Sequence, residues 1–206
     1  MTGYYMCFLK FCKMNMKKLM TLFLLAVFSF CFSFGQSAGE DVPGIDKSPM
    51  DMSYYPNNYP VLKIQDKASE PVVSRVIYSR PHLNGRQIVG GLLEYGKLWR
   101  LGANEATEID FYKDVVIGNK KVNKGRYTLY AIPGEKEWTM IINKETDTWG
   151  AFIYDEEKDV VRIKVPVIEN KQVAEAFSMT FEKTNAGCNL LLLWDKIRVA
   201  MPIAFK

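Results

Sequence analysis

The sequence predicts an all-β protein, an antiparallel two-sheet sandwich or jelly-roll-like domain with at most short helical turns. Three observations carry that prediction. From about Val72 onward apolar and polar residues alternate with a period of two. The alternating runs are separated by short Gly-, Asn- and Pro-containing turns. Between them no long segment carries the spacing of an amphipathic helix, so the chain must bury its apolar faces sheet against sheet.

Taken in chain order, the first element is a targeting segment. Met16-Lys17-Lys18 is a compact basic start, and Leu19 to Phe34 follows without a charge. Ser33 and Gly35 place small residues where a signal peptidase reads them, so residues 1–35 read as a signal peptide, with Met16 as an alternative start. The apolar run is shorter than the roughly 20 residues of a spanning helix. Bulky Phe30 precedes Cys31, which argues against lipid attachment. The expected destination is the periplasm or the cell exterior, with no membrane insertion after cleavage.

Removing that segment changes the charge and the cysteines. Its lysines are Lys10, Lys13, Lys17 and Lys18, and they account for the whole net charge of +4. A near-neutral remainder offers no basic field for nucleic acid. Cys188 is then the lone cysteine, so the core must hold the fold without an internal disulfide. Residues 36–60, broken by Pro43, Pro49, Pro56 and Pro60, read as a poorly ordered linker that Tyr54, Tyr55 and Tyr59 pin to the domain surface. Residues 61–206 read as a single β-sandwich domain.

The strands follow. "TEIDFY" sets Ile109 and Phe111 against Glu108 and Asp110. "RYTLYAI" sets Tyr127, Leu129 and Ala131 against Thr128 and Tyr130, and "EWTMIIN" alternates Trp138, Met140 and Ile142. "VVRIKVPV", "AFSMTFEK" and "KIRVAMPI" repeat the pattern, and "LLLLW" at 190–194 is apolar on both faces, as a central strand is. "KQVAEAF" reads as one short helical turn. The turn candidates are Gly118-Asn119, Asn123-Lys124-Gly125, Pro133-Gly134 and Asn185-Ala186-Gly187.

Five stretches together carry a resemblance: "YSRP" at 78–81, "GR" at 85–86, "YGKLWRLGANEAT" at 95–107, "KGRYTLYAIPGEKEWTMIIN" at 124–143 and "WGAFIYDEEKDVVRIKV" at 149–165. Over roughly residues 70–203 the chain resembles the bacterial domain of unknown function 2911 family, met mostly in exported proteins of Bacteroidetes-type bacteria. The resemblance implies export and an all-β domain. It supplies no activity and no catalytic residues.

Several chemistries find little support. A Ser-His-acid triad must use His82, the one histidine, and Ser79 lies at an odd offset from it, on the opposite face of an extended strand. Cys188 has no neighbouring base and reads as a buried thiol. "DEEKD" at 155–159 lacks the spacing and glycine of a calcium loop and reads as a solvated turn, so no metal and no cofactor is expected. Glu94, Glu105, Glu108 and Asp110 are candidates for a pair of catalytic carboxylates, a geometry the sequence does not fix.

The remaining signal is polar and aromatic. Tyr78, Arg80, His82 and Arg86 lie in one segment, and Trp99, Arg100, Asn104 and Glu105 in the next. A guanidinium matches carboxylate, phosphate or sulfate in a bidentate fork, and Trp and Tyr offer flat apolar faces. These eight residues form the candidate binding site for a small polar or anionic ligand or an envelope partner. The alternatives are a carboxylate-dependent enzyme such as a hydrolase, with Glu105 as acid or base and Arg100 holding substrate, or a purely structural envelope component. The 95–107 stretch breaks period two at Gly96 and Gly102, so it is expected to be a loop beside "YSRPHLNGR". Leu98 and Trp99 should anchor it, Arg100 should reach Glu105 or another carboxylate, and Arg80 should join the same cluster.

Overall fold

The computed structural model describes residues 44–205. Nine strands and one short helix follow in chain order: β1 (Met50–Tyr55), α1 (Tyr59–Ile64), β2 (Ser74–Ser79), β3 (Glu108–Phe111), β4 (Val115–Ile117), β5 (Lys120–Val122), β6 (Gly125–Ile132), β7 (Glu137–Asn143), β8 (Asp159–Lys183) and β9 (Gly187–Phe205). All pairs are antiparallel, and the spatial order is β1-β2-β3-β6-β7-β8-β9-β4-β5. The all-β expectation holds. The predicted turns also fall where the alternation breaks: Gly118 and Asn119, at φ 53° and 66°, close the two-residue β4–β5 hairpin.

The two halves of the sheet meet through β8. Its beginning pairs with β7 up to Pro166, and from Val167 onward it pairs with β9. Register shifts between Glu169 and Ala174, and again between Ala174 and Ser178, mark irregularities in β8. "KQVAEAF" lies inside this strand and forms no helical turn. Ala174 stands opposite Asp195 of β9, and the register shifts on either side of it take the place of the expected helical turn. Asp195, at φ 53°, breaks the regular backbone of β9 opposite.

The inward side chains of both halves share one core that includes Val76, Ile109, Leu129, Met140, Phe181 and Leu192. Sheet faces turned away from it are also covered in places. Tyr130 and Ile141 are buried with Ala106 in a smaller cluster, packed by Leu98, Ala151 and Tyr154. Strands β6 and β7 are therefore buried on both faces, where the period-two reading left one face to solvent.

The linker reading fails from Met50 onward. β1 pairs with β2 along its whole length, and Tyr55 is buried. Prolines at 49 and 56 bracket the strand without entering it, which leaves its hydrogen-bonding positions intact. The outer edge of β8 is then closed by side chains in place of a ladder. Ser53 Oγ and Tyr78 OH donate to the Met179 carbonyl at 2.6 and 3.2 Å, Asn57 Nδ2 to that of Phe181 at 2.7 Å, and Arg80 Nε to that of Phe177 at 3.1 Å. Such closure satisfies carbonyls that would otherwise template pairing with another chain. The signal-peptide reading of residues 1–35 lies outside the described residues.

Candidate functional site

The 95–107 stretch is a loop, and it lies against Ser79 of "YSRPHLNGR", at the end of β2, as expected. Trp99 pins it. Its backbone exchanges hydrogen bonds with Ala131 at 2.7 and 2.9 Å, and its indole N–H donates to the Gly102 carbonyl at 3.1 Å. Its ring enters the core among Trp138, Phe177 and Trp194, with centroids 5.1–5.8 Å away. Leu101 then turns at φ 57°, a conformation disfavoured for a residue with a branched Cγ and a Cβ. The buried Thr107 hydroxyl holds that turn by donating to the Leu101 carbonyl at 2.5 Å. Gly102 is needed where the loop touches β2, because a Cβ there would stand 2.9 Å from Ser79 Oγ. Buried Ser79 accepts from the Ala103 N–H at 2.7 Å and donates to the Ala103 carbonyl. That serine is structural, and sequence reasoning weighed it only as a nucleophile.

The eight candidate residues do not form one cluster. Tyr78 is buried against Phe177 and serves the edge closure. Arg80 pairs with Asp51 at 2.9 Å and donates to Ser178 Oγ at 2.8 Å, away from Arg100. Arg86 donates to the Leu83 and His82 carbonyls at 3.0 and 2.7 Å, and His82 itself bridges to Ala176 through backbone. Asn104 Nδ2 reaches Asp46 at 2.9 Å, and Glu105 forms a backbone bridge with Trp149. The expected pairing of Arg100 with Glu105 is absent among the described residues. Backbone geometry explains this: the turn at Leu101 and Gly102 separates the two side chains, and Glu105 is drawn to the 148–150 loop.

Arg100 stands apart. Arg75, Arg80, Arg86, Arg126, Arg162 and Arg198 each have a carboxylate or carbonyl partner. Arg100 has no such partner among the described residues, and its Nε, like that of Arg198, is buried without one. Burial holds its guanidinium below the usual arginine range, a sign that the cation is poorly compensated. The side chain lines a cavity of about 450 Å³. Leu92, Leu93 and Leu98 contribute the smaller, apolar part of its lining, and most of the lining is polar, with Lys97 and Glu94 beside Arg100. Sequence reasoning reached Trp99 and Arg100, and Glu94 only as a candidate catalytic carboxylate, but not Leu92 and Leu93.

The other candidate chemistries find their groups already engaged. Asp110 is paired with Arg75 at 2.6 Å, and Glu108 lies 3.4 Å from Arg126. Burial pushes the Cys188 thiol up to about 12. "DEEKD" forms a 3-10 turn capped by Asp155, as the solvated-turn reading expects. Among the described residues no group of three or more His, Cys, Asp or Glu side chains could hold a metal ion, and no helix is long and apolar enough to cross a membrane.

A family model described as a protein of unknown function (DUF2911) matches residues 62–203, and the chain belongs to that family. No curated protein and no solved structure matches the chain.

Proposed function

We propose that this DUF2911 chain is an exported binding protein whose Arg100 anchors a small anionic ligand in the cavity between the 92–94 turn and the 97–100 loop. One observation carries the reading: Arg100 is the arginine left without a protein partner among the described residues, and it lines that cavity. A half-buried guanidinium costs desolvation that a carboxylate or phosphate would offset through two parallel N–H···O bonds. Lys97 adds a second positive charge, set against the Glu94 carboxylate in the same lining, and Leu92 and Leu98 offer a small apolar surface to the rest of the ligand. The basic, apolar and small-residue succession at 16–35 supports export. An intact mass of the secreted form starting near Gln36 is expected, and a mass retaining residues 16–35 counts against it.

The site is tested by thermal shift with acetate, succinate and inorganic phosphate. At saturating anion the wild type should gain stability, by roughly 2.7 kcal/mol at one hundred times Kd. Arg100→Gln should lose that response while its ligand-free midpoint stays level or rises, because an uncompensated cation has been removed. Arg100→Lys should bind more weakly, keeping the charge but not the planar fork. A lower ligand-free midpoint in Arg100→Gln, with no wild-type response to any anion, makes the loop a structural lock.

A further inference from the structure

We infer that the exposed loop Trp149–Ile153 extends the Arg100 site, and that its ligand is an anionic amphiphile, a single carboxylate or phosphate head on an apolar chain or ring. This rests on the reading of Arg100 as the anion anchor.

The loop leaves three large apolar side chains in solvent within five residues: Trp149 is 59 % exposed, Phe152 86 % and Ile153 65 %. Both ends are tied down. Before the tip, Ala106 N–H donates to the Thr148 carbonyl at 3.0 Å and Gly150 N–H to that of Asn104 at 2.9 Å. After it, Tyr154 OH donates to Asp159 at 2.6 Å, and buried Asn143 donates to the Asp155 carbonyl at 2.8 Å and to Asp159 at 2.7 Å. Phe152 also rests against Gly150, where a Cβ would lie 2.7 Å from its ring. The tip is thus presented on a fixed frame. Three large apolar side chains exposed within five residues on such a frame point to a binding surface.

Its position points to the ligand. Thr107 N–H donates to the Arg100 carbonyl at 3.0 Å, and neighbouring Ala106 pairs with Thr148. Two such steps of roughly 4.8 Å across, with a two-residue offset along the chain because Trp149 stands opposite Glu105, put the Arg100 and Trp149 backbones roughly 12 Å apart. Leu98 belongs to both places, since it lines the cavity and packs, as Ala151 and Tyr154 do, against the cluster of Ala106, Tyr130 and Ile141. An uncompensated cation and an uncovered apolar tip are therefore neighbours, and an anion with an apolar body completes both. A free molecule, whose single head stands at Arg100, fits better than an anionic bilayer, whose many heads would meet the six acids and two lysines of residues 144–159.

The test uses the purified protein with acetate, hexanoate, octanoate and decanoate below micelle-forming concentration. Trp149 is a built-in reporter, since Trp99, Trp138 and Trp194 are buried and iodide quenches exposed indole. Wild-type affinity should rise up to about fourfold per added methylene, the ratio expected for a fully buried CH₂. Decanoate should shield Trp149 from iodide. Trp149→Ala with Phe152→Ala should bring decanoate down toward acetate, while Arg100→Gln weakens every member by a similar factor. Equal affinities along the series, or unchanged decanoate binding in the double variant, overturn the amphiphile. Unchanged binding in Arg100→Gln overturns the anchor separately. Sedimentation showing a dimer that the double variant abolishes, or binding to phosphatidylglycerol vesicles, assigns the tip to a second copy or a bilayer and overturns the proposal.

Discussion

Truncating Phe177 to Ala tests whether the aromatic centre of the core is what holds the 95–107 loop. Phe177 has 0 % exposure, and its ring lies 5.9 Å from Tyr78, 5.1 Å from Trp99 and 5.7 Å from Trp194. A buried Phe→Ala change costs about 3–5 kcal/mol, and edge-on aromatic pairs add about 0.5–1.5 kcal/mol each beyond area. Three such pairs place this site at the upper end, about 5 kcal/mol, against a total stability of about 5–15 kcal/mol. For a domain of this size that is a fall of roughly 10–20 °C in midpoint. Urea unfolding followed by tryptophan emission measures it, with the slope unchanged if the denatured state is unaffected. Phe152→Ala, at an exposed ring, is the control and should stay within about 0.5 kcal/mol. A loss below about 1 kcal/mol in Phe177→Ala, or an equal loss in the control, refutes the placement of the core.

Three further outcomes follow from the same contacts. Ser79→Ala leaves the Ala103 N–H and carbonyl without their partner and should cost about 1–3 kcal/mol by denaturant midpoint. Arg80→Met should cost more than Asp51→Ala, because it also leaves the Phe177 carbonyl unpaired, whereas loss of the partly exposed ion pair alone is worth at most about 1 kcal/mol; equal costs would remove the edge-closure argument. Cys188, with its thiol raised to about 12, stays protonated when folded while the unfolded thiol ionises near 9.0, so it contributes stability that is present below pH 9 and lost as pH rises toward 12. Cys188→Ala should flatten part of the decline in midpoint over that window, and an unchanged slope would show that the thiol is not shielded.

The strands were legible because each carries its own alternation. Ile109 and Phe111, or Phe177, Met179 and Phe181, declare a buried face within a few residues. The β4–β5 turn was legible for the same local reason, Gly118 and Asn119 at positive φ. What escaped was non-local. β1 is short, flanked by prolines and half exposed, and it becomes a strand only by pairing with β2. The burial of Tyr130 and Ile141 on an outer face depends on loops far along the chain. Arg80 and Arg100 looked alike in sequence because both sit in Trp- or Tyr-containing loops. Asp51, in a strand the sequence hid, separates them by pairing with one and not the other.

That separation gives the candidate site its content. A loop that served only as scaffold would be expected to pair its half-buried charge, as the loop around Asn143, Asp159 and Arg162 does at 2.6–2.8 Å. Here the scaffold and the charge are handled by different residues. Trp99, Thr107 and Ser79 fix the backbone through contacts that do not involve the guanidinium. Arg100 is consequently not needed to hold the turn at Leu101, yet the fold keeps it half buried at a cavity wall. A cation that the fold positions but leaves uncompensated is in the state that anion binding relieves. On this reasoning the Arg100→Gln variant must keep the fold, and its intact far-ultraviolet and near-ultraviolet dichroism, measured beside a lost anion response, is the pair of results on which the binding reading stands.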